Sequence, residues 1–130
     1  MTPIETTKAV FAAFGEGDVD KIVSFVDDDI EIEFYGPSVI PYAGHYRGRA
    51  EARRFFETVL SSVDIHQFDP LDFFSDGDKV TVTGHLRLTA RSTGGGIESD
   101  FAHVITVRGD KWLRFRDFMD TAVAAAAFSA

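Results

Sequence analysis

The chain has 130 residues, of which 45% are hydrophobic and thirteen are phenylalanine. It is therefore long and apolar enough to form one domain, residues 1–130, around a packed core. A net charge of −8, with no cluster of basic side chains, argues against nucleic acid as a partner. The absence of cysteine excludes disulfides, thiolate nucleophiles and cysteine-ligated metals.

The distribution of apolar residues bears on where the protein resides. Residues 1–14 lack the basic start and the continuous apolar run of a signal peptide. No apolar stretch reaches the length that a membrane-spanning helix requires. We therefore expect a cytoplasmic protein that has no membrane partner.

The first half of the chain carries three helix patterns. Thr2 and Glu5 have the spacing of a capping box, which starts a first helix that ends near Gly15. Asp18 is placed to cap a second helix, and a third is predicted after Gly48. Apolar side chains recur at helical spacing in all three segments.

Strand patterns dominate the rest of the chain. Residues 30–34 and residues 79–90 alternate between apolar and polar side chains, which predicts strands with one buried face. Residues 63–74 form a less regular strand that Pro70 interrupts. The three glycines at 94–96 predict a hairpin turn before the last two strands.

The order helix, helix, strand, helix and then four strands predicts an α+β fold. We expect three N-terminal helices packed on a strongly curved, mixed or antiparallel sheet that forms a cone with an internal pocket. Residues 122–128 are apolar, short and rich in alanine, and they predict a docked or frayed terminus.

The last two strands, residues 101–108 and 111–120, each place one polar side chain on an otherwise apolar face. His103 alternates with Phe101 and other apolar residues, and Asp117 alternates in the same way on the final strand. Trp112 should lie on the face opposite Asp117. A polar group inside an apolar chamber costs free energy unless a hydrogen bond or a function uses it.

The whole pattern resembles the SnoaL-like and ketosteroid isomerase-like proteins, which share the nuclear transport factor two-like fold. Four segments carry the resemblance: residues 14–18 (FGEGD), 26–30 (VDDDI), 41–48 (PYAGHYRG) and 115–120 (FRDFMD). It implies a homodimer formed through the outer face of the sheet, where Arg87, Arg114 and Arg116 are expected.

The resemblance also implies roles for particular residues. Polyketide cyclases of the SnoaL type carry an acid/base aspartate on the last strand and a histidine on the strand before it, so Asp117 and His103 are implied to be catalytic. The tyrosine, the base and the second acid of the steroid isomerases fall at Val10, Phe34 and His103. Steroid isomerisation is therefore not implied.

The chemistry of such a pair admits two interpretations. A carboxylate held out of water is a stronger base, and a nearby imidazole can orient it or donate a proton. Together they could remove a proton next to a carbonyl group, so that a small hydrophobic carbonyl compound isomerises or cyclises without a cofactor or metal. The pair could instead be a polar contact that fixes strand register in a non-catalytic ligand-binding or association module.

Aromatic side chains are the expected contacts of a small hydrophobic ligand. The candidate substrate-binding residues are Tyr35, Tyr42, Phe14, Phe34, Phe55, Phe101 and Phe115. The resemblance places the pocket mouth at the loop before the third helix, where Tyr35 and Tyr42 could donate phenolic hydrogen bonds. The other histidines have no metal-ligand spacing, and His85 is expected to be solvated on its strand. No metal site is predicted.

Overall fold

A computed structural model describes residues 1–129 and contains four helices and six strands in that range. In chain order these are α1 (Pro3–Gly15), α2 (Val19–Ser24), β1 (Val26–Phe34), β2 (Gly44–Arg47), α3 (Gly48–Ser62), β3 (Val63–Asp76), β4 (Lys79–Ala90), β5 (Gly96–Arg108), β6 (Lys111–Met119) and α4 (Thr121–Phe128). Within residues 1–129, no helix is long and apolar enough to cross a membrane.

The strands form one sheet in the order β2-β1-β6-β5-β4-β3. β1 runs parallel to β6, and every other neighbouring pair is antiparallel. The α+β class, the N-terminal helices and the mixed sheet are therefore confirmed. The strong curvature and the cone shape stay predictions. β2 is a strand that the sequence patterns did not indicate.

The sheet has an inner face, which α1 and α3 cover, and an outer face on its other side. Alternation along β4 buries Val80, Val82, Leu86 and Leu88 on the inner face, as predicted. β5 follows the same rule and buries Phe101, His103, Ile105 and Val107. The hydrophobic core lies between this inner face and the helices.

The predicted caps fix the first two helices. The N–H of Glu5 donates to Thr2 Oγ1 at 3.1 Å, and the N–H of Thr2 donates to Glu5 Oε1 at 2.8 Å, which completes the capping box. Asp18 accepts a hydrogen bond from the N–H of Lys21 at 3.0 Å at the start of α2. Local sequence thus sets where both helices begin.

β6 contains a bulge that reverses its alternation. Thr106 pairs with Arg114 while its neighbour Val107 pairs with Trp112, so Leu113 is an extra residue. Trp112 consequently lies on the inner face and is only 1% exposed. The predicted position of Trp112, opposite Asp117, is wrong because strict alternation does not allow for the extra residue.

The apolar C-terminal segment is a docked helix. Asp120 caps α4 by accepting a hydrogen bond from the N–H of Val123 at 3.2 Å. Phe128 is buried, and its ring packs against that of Tyr42 with centroids 5.9 Å apart. The backbone of α4 also packs closely against Gly95, in the predicted turn. Only glycine fits there, because a Cβ would lie 2.5 Å from the carbonyl oxygen of Ala127.

Candidate active site

His103 and Asp117 face each other across the inner face of the sheet. They are paired positions of β5 and β6, and His103 Nε2 lies 3.2 Å from Asp117 Oδ1. The side chain of His103 is 5% exposed and that of Asp117 is 17% exposed. The acid and the imidazole are thus within hydrogen-bond reach, and the acid retains partial access to solvent.

The two ring nitrogens of His103 have different surroundings. Its ring lies 4.4 Å from that of Phe101 and 4.9 Å from that of Phe115. Nδ1 is buried and has no hydrogen-bond partner in residues 1–129. A proton on Nδ1 would be buried without an acceptor, whereas a proton on Nε2 would lie 3.2 Å from Asp117 Oδ1, so the surroundings favour the Nε2–H tautomer of a neutral ring.

A cavity of about 70 Å³ lies beside the pair, between the inner face and the helices. Apolar side chains form most of its wall, and the polar ones are Tyr42, His103, Asp117 and Trp112. The indole N–H of Trp112 is already engaged, because it donates to Thr7 Oγ1 at 3.2 Å. Tyr42, His103 and Asp117 therefore offer the wall's remaining polar groups.

The structure brings most of the predicted substrate-binding residues to this cavity. Five of them line it: Phe14, Phe34, Tyr42, Phe55 and Phe115. Phe101 lies behind this wall and supports His103. Tyr35 points to the outer face, where its hydroxyl donates to Glu33 Oε2 at 2.7 Å and its ring stacks on Phe118. A substrate contact for any of these residues stays a prediction.

Tyr42 provides a neutral hydrogen-bond donor. Burial, and secondarily the charge of Asp117, raises the pKa of the Tyr42 phenol far above its ordinary value. The hydroxyl consequently stays protonated at neutral pH. Its ring is held against Phe34, with centroids 4.9 Å apart.

The accessible side of the cavity lies between α1, α3 and β3. Phe14, Val59 and Phe68 line the cavity and are half-buried, and Ile65 is 38% exposed. Tyr42, by contrast, is 3% exposed. The cavity therefore approaches the surface beside β3, and not beside Tyr42, where the resemblance had suggested a mouth.

Four further aromatic residues line the cavity without having been predicted as ligand contacts: Phe11, Phe56, Phe68 and Trp112. Phe11 could have been found, because it precedes Phe14 by one helical turn on the apolar face of α1. Trp112 was hidden by the bulge in β6, and Phe68 lies in the irregular strand β3.

A group of possible metal ligands lies elsewhere, on β1 and β2. The ligand atoms of Glu31, Glu33 and His45 are within 4.8 Å of one another. Arg114 donates to Glu33 at 2.7 Å, and Arg47 lies 3.7 Å from Glu31. Because arginines already balance these carboxylates, we interpret the group as ion pairs that stand apart from the cavity.

His85, on the outer face, is not simply solvated. Its Nδ1 lies 2.8 Å from Asp100 and its Nε2 lies 2.8 Å from Glu98, so the imidazole bridges two carboxylates of the neighbouring strand. The hydrogen bonds to Asp100 and then Glu98 raise the pKa of His85. The predicted position on the polar, solvent-facing side of the strand is confirmed, and the two ion pairs were not predicted; they form because both acids alternate onto the same face.

Comparison with known proteins extends the sequence resemblance. Residues 7–115 match the family model of the SnoaL-like domain. An NTF2-like protein from Burkholderia xenovorans LB400 has 31% identity and a TM-score of 0.89, over 98% of this chain and 95% of that one. A second NTF2-like protein, from Burkholderia thailandensis E264, has 28% identity and a TM-score of 0.87, over 100% and 99% of the two chains.

A third similar structure is that of TerC co-crystallised with polyporic acid. It has 26% identity and a TM-score of 0.84, and the match covers 98% of each chain. No curated protein matches the sequence. The family model and the full-length structural matches together show that this chain belongs to the SnoaL-like domain family and has the NTF2-like fold.

Proposed function

We propose that the protein is a cofactor-independent acid/base enzyme, of the cyclase or isomerase type, that acts on a small hydrophobic carbonyl compound. The observation that carries this proposal is the contact of 3.2 Å between His103 and Asp117 at the wall of an apolar cavity. Further support comes from TerC, a similar protein that was crystallised with a small organic molecule.

In the proposed reaction Asp117 is the base. Its carboxylate takes a proton from the carbon next to the substrate carbonyl; the electron pair of the broken C–H bond forms the C=C bond of the enolate, and the π pair of the carbonyl moves to its oxygen. His103 Nε2, 3.2 Å from Oδ1, is within reach to donate a hydrogen bond that holds the carboxylate in place. Tyr42, which stays protonated, donates a hydrogen bond to the enolate oxygen.

The fate of the enolate decides the product. Return of the proton from Asp117 to a different carbon gives an isomer. Attack of the enolate carbon on a second carbonyl of the same molecule closes a ring, and the protonated Asp117 then supplies the proton for the new alkoxide. Each cycle returns Asp117 to the carboxylate form and requires no external oxidant or reductant.

A second candidate function is a non-catalytic module that binds a small ligand or mediates association. The small size of the cavity favours association without a bound ligand, since ligand sites typically enclose about 300–1,000 Å³. The observed volume is about 70 Å³. An enzyme with this structure must move at least one aromatic side chain to admit its substrate.

The test of catalysis uses 2-tetralone, a flat ketone with acidic α-protons. Replacement of those protons by deuterium in D₂O is followed by proton NMR. Wild-type protein should accelerate the exchange, and Asp117→Asn should lower the catalysed rate by about 100-fold or more, since a general base contributes roughly 10²–10⁴-fold. Asp117→Asn should leave binding of 2-naphthol, a stable mimic of the enol, within about threefold.

The matched control is Asp76→Asn, which removes an exposed carboxylate at the end of β3 and should keep the wild-type exchange rate. Equal exchange rates for wild type and Asp117→Asn would contradict the catalytic proposal. Retained 2-naphthol binding without exchange would favour the binding module.

We also propose that two copies associate through the outer faces of their sheets. Ala102, Val104 and Phe118 lie half-buried along this face, and Arg116 covers Phe118 with its guanidinium 5.0 Å from the ring. Leu71 and Phe74 add apolar surface beside it, with exposures of 65% and 60%. A second copy would cover Ala102, Val104 and Phe118 at the centre of the contact, with Leu71 and Phe74 at its rim.

A further inference from the structure

We propose that Phe68 is the gate of the cavity. Its ring closes the accessible side in this structure, and it moves outward with β3 to admit a flat ligand that takes its place against Phe101. This inference rests on the proposed ligand cavity, but it does not depend on acid/base chemistry by Asp117.

The ring of Phe68 fills a flat space, here called the slot, between the rings of Phe11, Phe14 and Phe101. It stacks on Phe101 with centroids 4.9 Å apart and planes 5° apart. The ring centroids of Phe68 and His103 are 6.1 Å apart, and the two ring planes are 27° apart. The rings of Phe11 and Phe14 meet Phe68 edge-on, each at 5.5 Å. Phe68 thus stands between the accessible side of the cavity and the imidazole.

The strand that carries Phe68 is the wall element that is easiest to displace. β3 is at the edge of the sheet and pairs with β4 alone. Its register shifts between Ile65 and Gln67 and again between Pro70 and Asp72, so a bulge lies on each side of Phe68. Edge segments with exposed side chains open locally at low free energy. Phe101 and Phe115 lie on β5 and β6, which are paired on both sides.

The size of the cavity requires such a movement. An engineered apolar cavity of about 150 Å³ accepts one benzene molecule. The cavity here is about 70 Å³. Displacing one aromatic ring adds the space that a second ring would occupy, so removal of Phe68 from its slot converts a small void into a site for an aromatic ligand.

The floor of the slot selects for flatness. A Cβ on Gly84 would lie only 2.5 Å from Cζ of Phe101, so the absence of a side chain lets the Phe101 ring lie against the β4 backbone. Phe68 stacks on a face of that ring. A planar ligand reproduces this stacking, whereas a puckered one does not.

The experiment measures the Kd of 2-naphthol by its fluorescence in Phe68→Leu and Phe68→Ala. Leucine retains apolar packing in case alanine unfolds the protein. The matched controls are Phe74→Leu and Phe74→Ala, because Phe74 lies on the same strand and is 60% exposed. If the closed gate holds about nine-tenths of the molecules, its removal tightens binding about tenfold. The Phe74 variants should bind as the wild type does.

Two outcomes would overturn the inference. Binding by the Phe68 variants that is equal to or weaker than that of the Phe74 variants would identify Phe68 as a fixed wall. Equal affinity for 2-naphthol and its saturated analogue decahydro-2-naphthol would contradict the preference for flat ligands, since stacking should favour 2-naphthol roughly three- to ten-fold. Adding Asp117→Asn to Phe68→Leu separates this inference from the enzyme proposal, because a gate tightens 2-naphthol binding whether or not exchange is catalysed.

Discussion

At the scale of single residues, the two nitrogens of His103 have different tasks. Nε2 lies 3.2 Å from Asp117 Oδ1, whereas Nδ1 is buried among phenylalanine rings. The sequence identified both members of the pair because each lies on a regular stretch of strand, where alternation correctly assigns the inner face. Their separation and the position of Tyr42 require coordinates, since they depend on which side chains of β5, β6 and the turn before β2 meet in the folded chain.

The buried threonines of α1 provide a matched pair for a stability prediction. Thr6 and Thr7 are both fully buried, but Thr7 Oγ1 accepts the indole N–H of Trp112 whereas Thr6 Oγ1 has no partner in the described residues. Thr7→Val should lower the free energy of unfolding by about 1–3 kcal/mol, because it leaves the indole N–H unpaired. Thr6→Val should be neutral or stabilising. Urea denaturation measures both, and equal losses would contradict the assignment.

His85 predicts a pH dependence of stability. Its pKa is raised in the folded protein, by Asp100 first and then by Glu98, from an ordinary value of 6.5. The stabilisation is therefore fully present below about pH 6.5 and is lost as pH rises through the folded-state pKa. The Tm difference between wild type and His85→Gln should be largest in acid and shrink with rising pH. A difference that grows toward alkaline pH would contradict the ion-pair account.

At the scale of elements, bulges separate what alternation predicts from what it misses. β4 agrees with its sequence pattern from Lys79 to Ala90 because it has no inserted residue. One extra residue in β6 moves Trp112 to the inner face, and the irregular register of β3 surrounds Phe68. A bulge adds one residue to a strand without a characteristic residue type, so alternation alone does not reveal where it lies. β2 has four residues, too few for a periodic pattern.

Gly84 yields a prediction about the pairing of β3, β4 and β5. A Cβ at this position would overlap the carbonyl oxygen of Asp69 and approach the Phe101 ring to 2.5 Å. Gly84→Ala should therefore destabilise the fold by about 1–3 kcal/mol through overpacking. Gly96→Ala is the control, because its Cβ would meet nothing within 4 Å. Thermal unfolding of both variants tests the prediction, and equal Tm values would refute it.

At the scale of the whole molecule, the proposed dimer would leave the cavity accessible. The outer face, where Ala102 and Phe118 lie, is on the side of the sheet opposite His103 and Asp117. Association centred on Ala102, Val104 and Phe118, which lie on β5 and β6, would leave the accessible side beside β3 open. One sheet would thus serve two purposes, with the ligand cavity on the inner face and the partner on the outer face.

Light scattering tests the proposed association. The wild-type protein should have about twice the chain mass of 14.4 kDa in solution. Ala102→Glu places a charge at the centre of the proposed contact and should yield the mass of one chain. Ser61→Glu, on the exposed surface of α3, should remain dimeric. A wild-type mass of one chain, or dissociation by both variants alike, would contradict the proposal.

The central claim is that the acid and the imidazole face a cavity that a ligand can reach, and a crystal structure with bound 2-naphthol tests it most directly. We predict that the ligand stacks on Phe101 in the slot of Phe68. Its oxygen should lie about 2.6–3.2 Å from the Tyr42 hydroxyl, with a ring carbon against the Asp117 carboxylate. A ligand bound outside the cavity, with Phe68 still stacked on Phe101, would contradict the account.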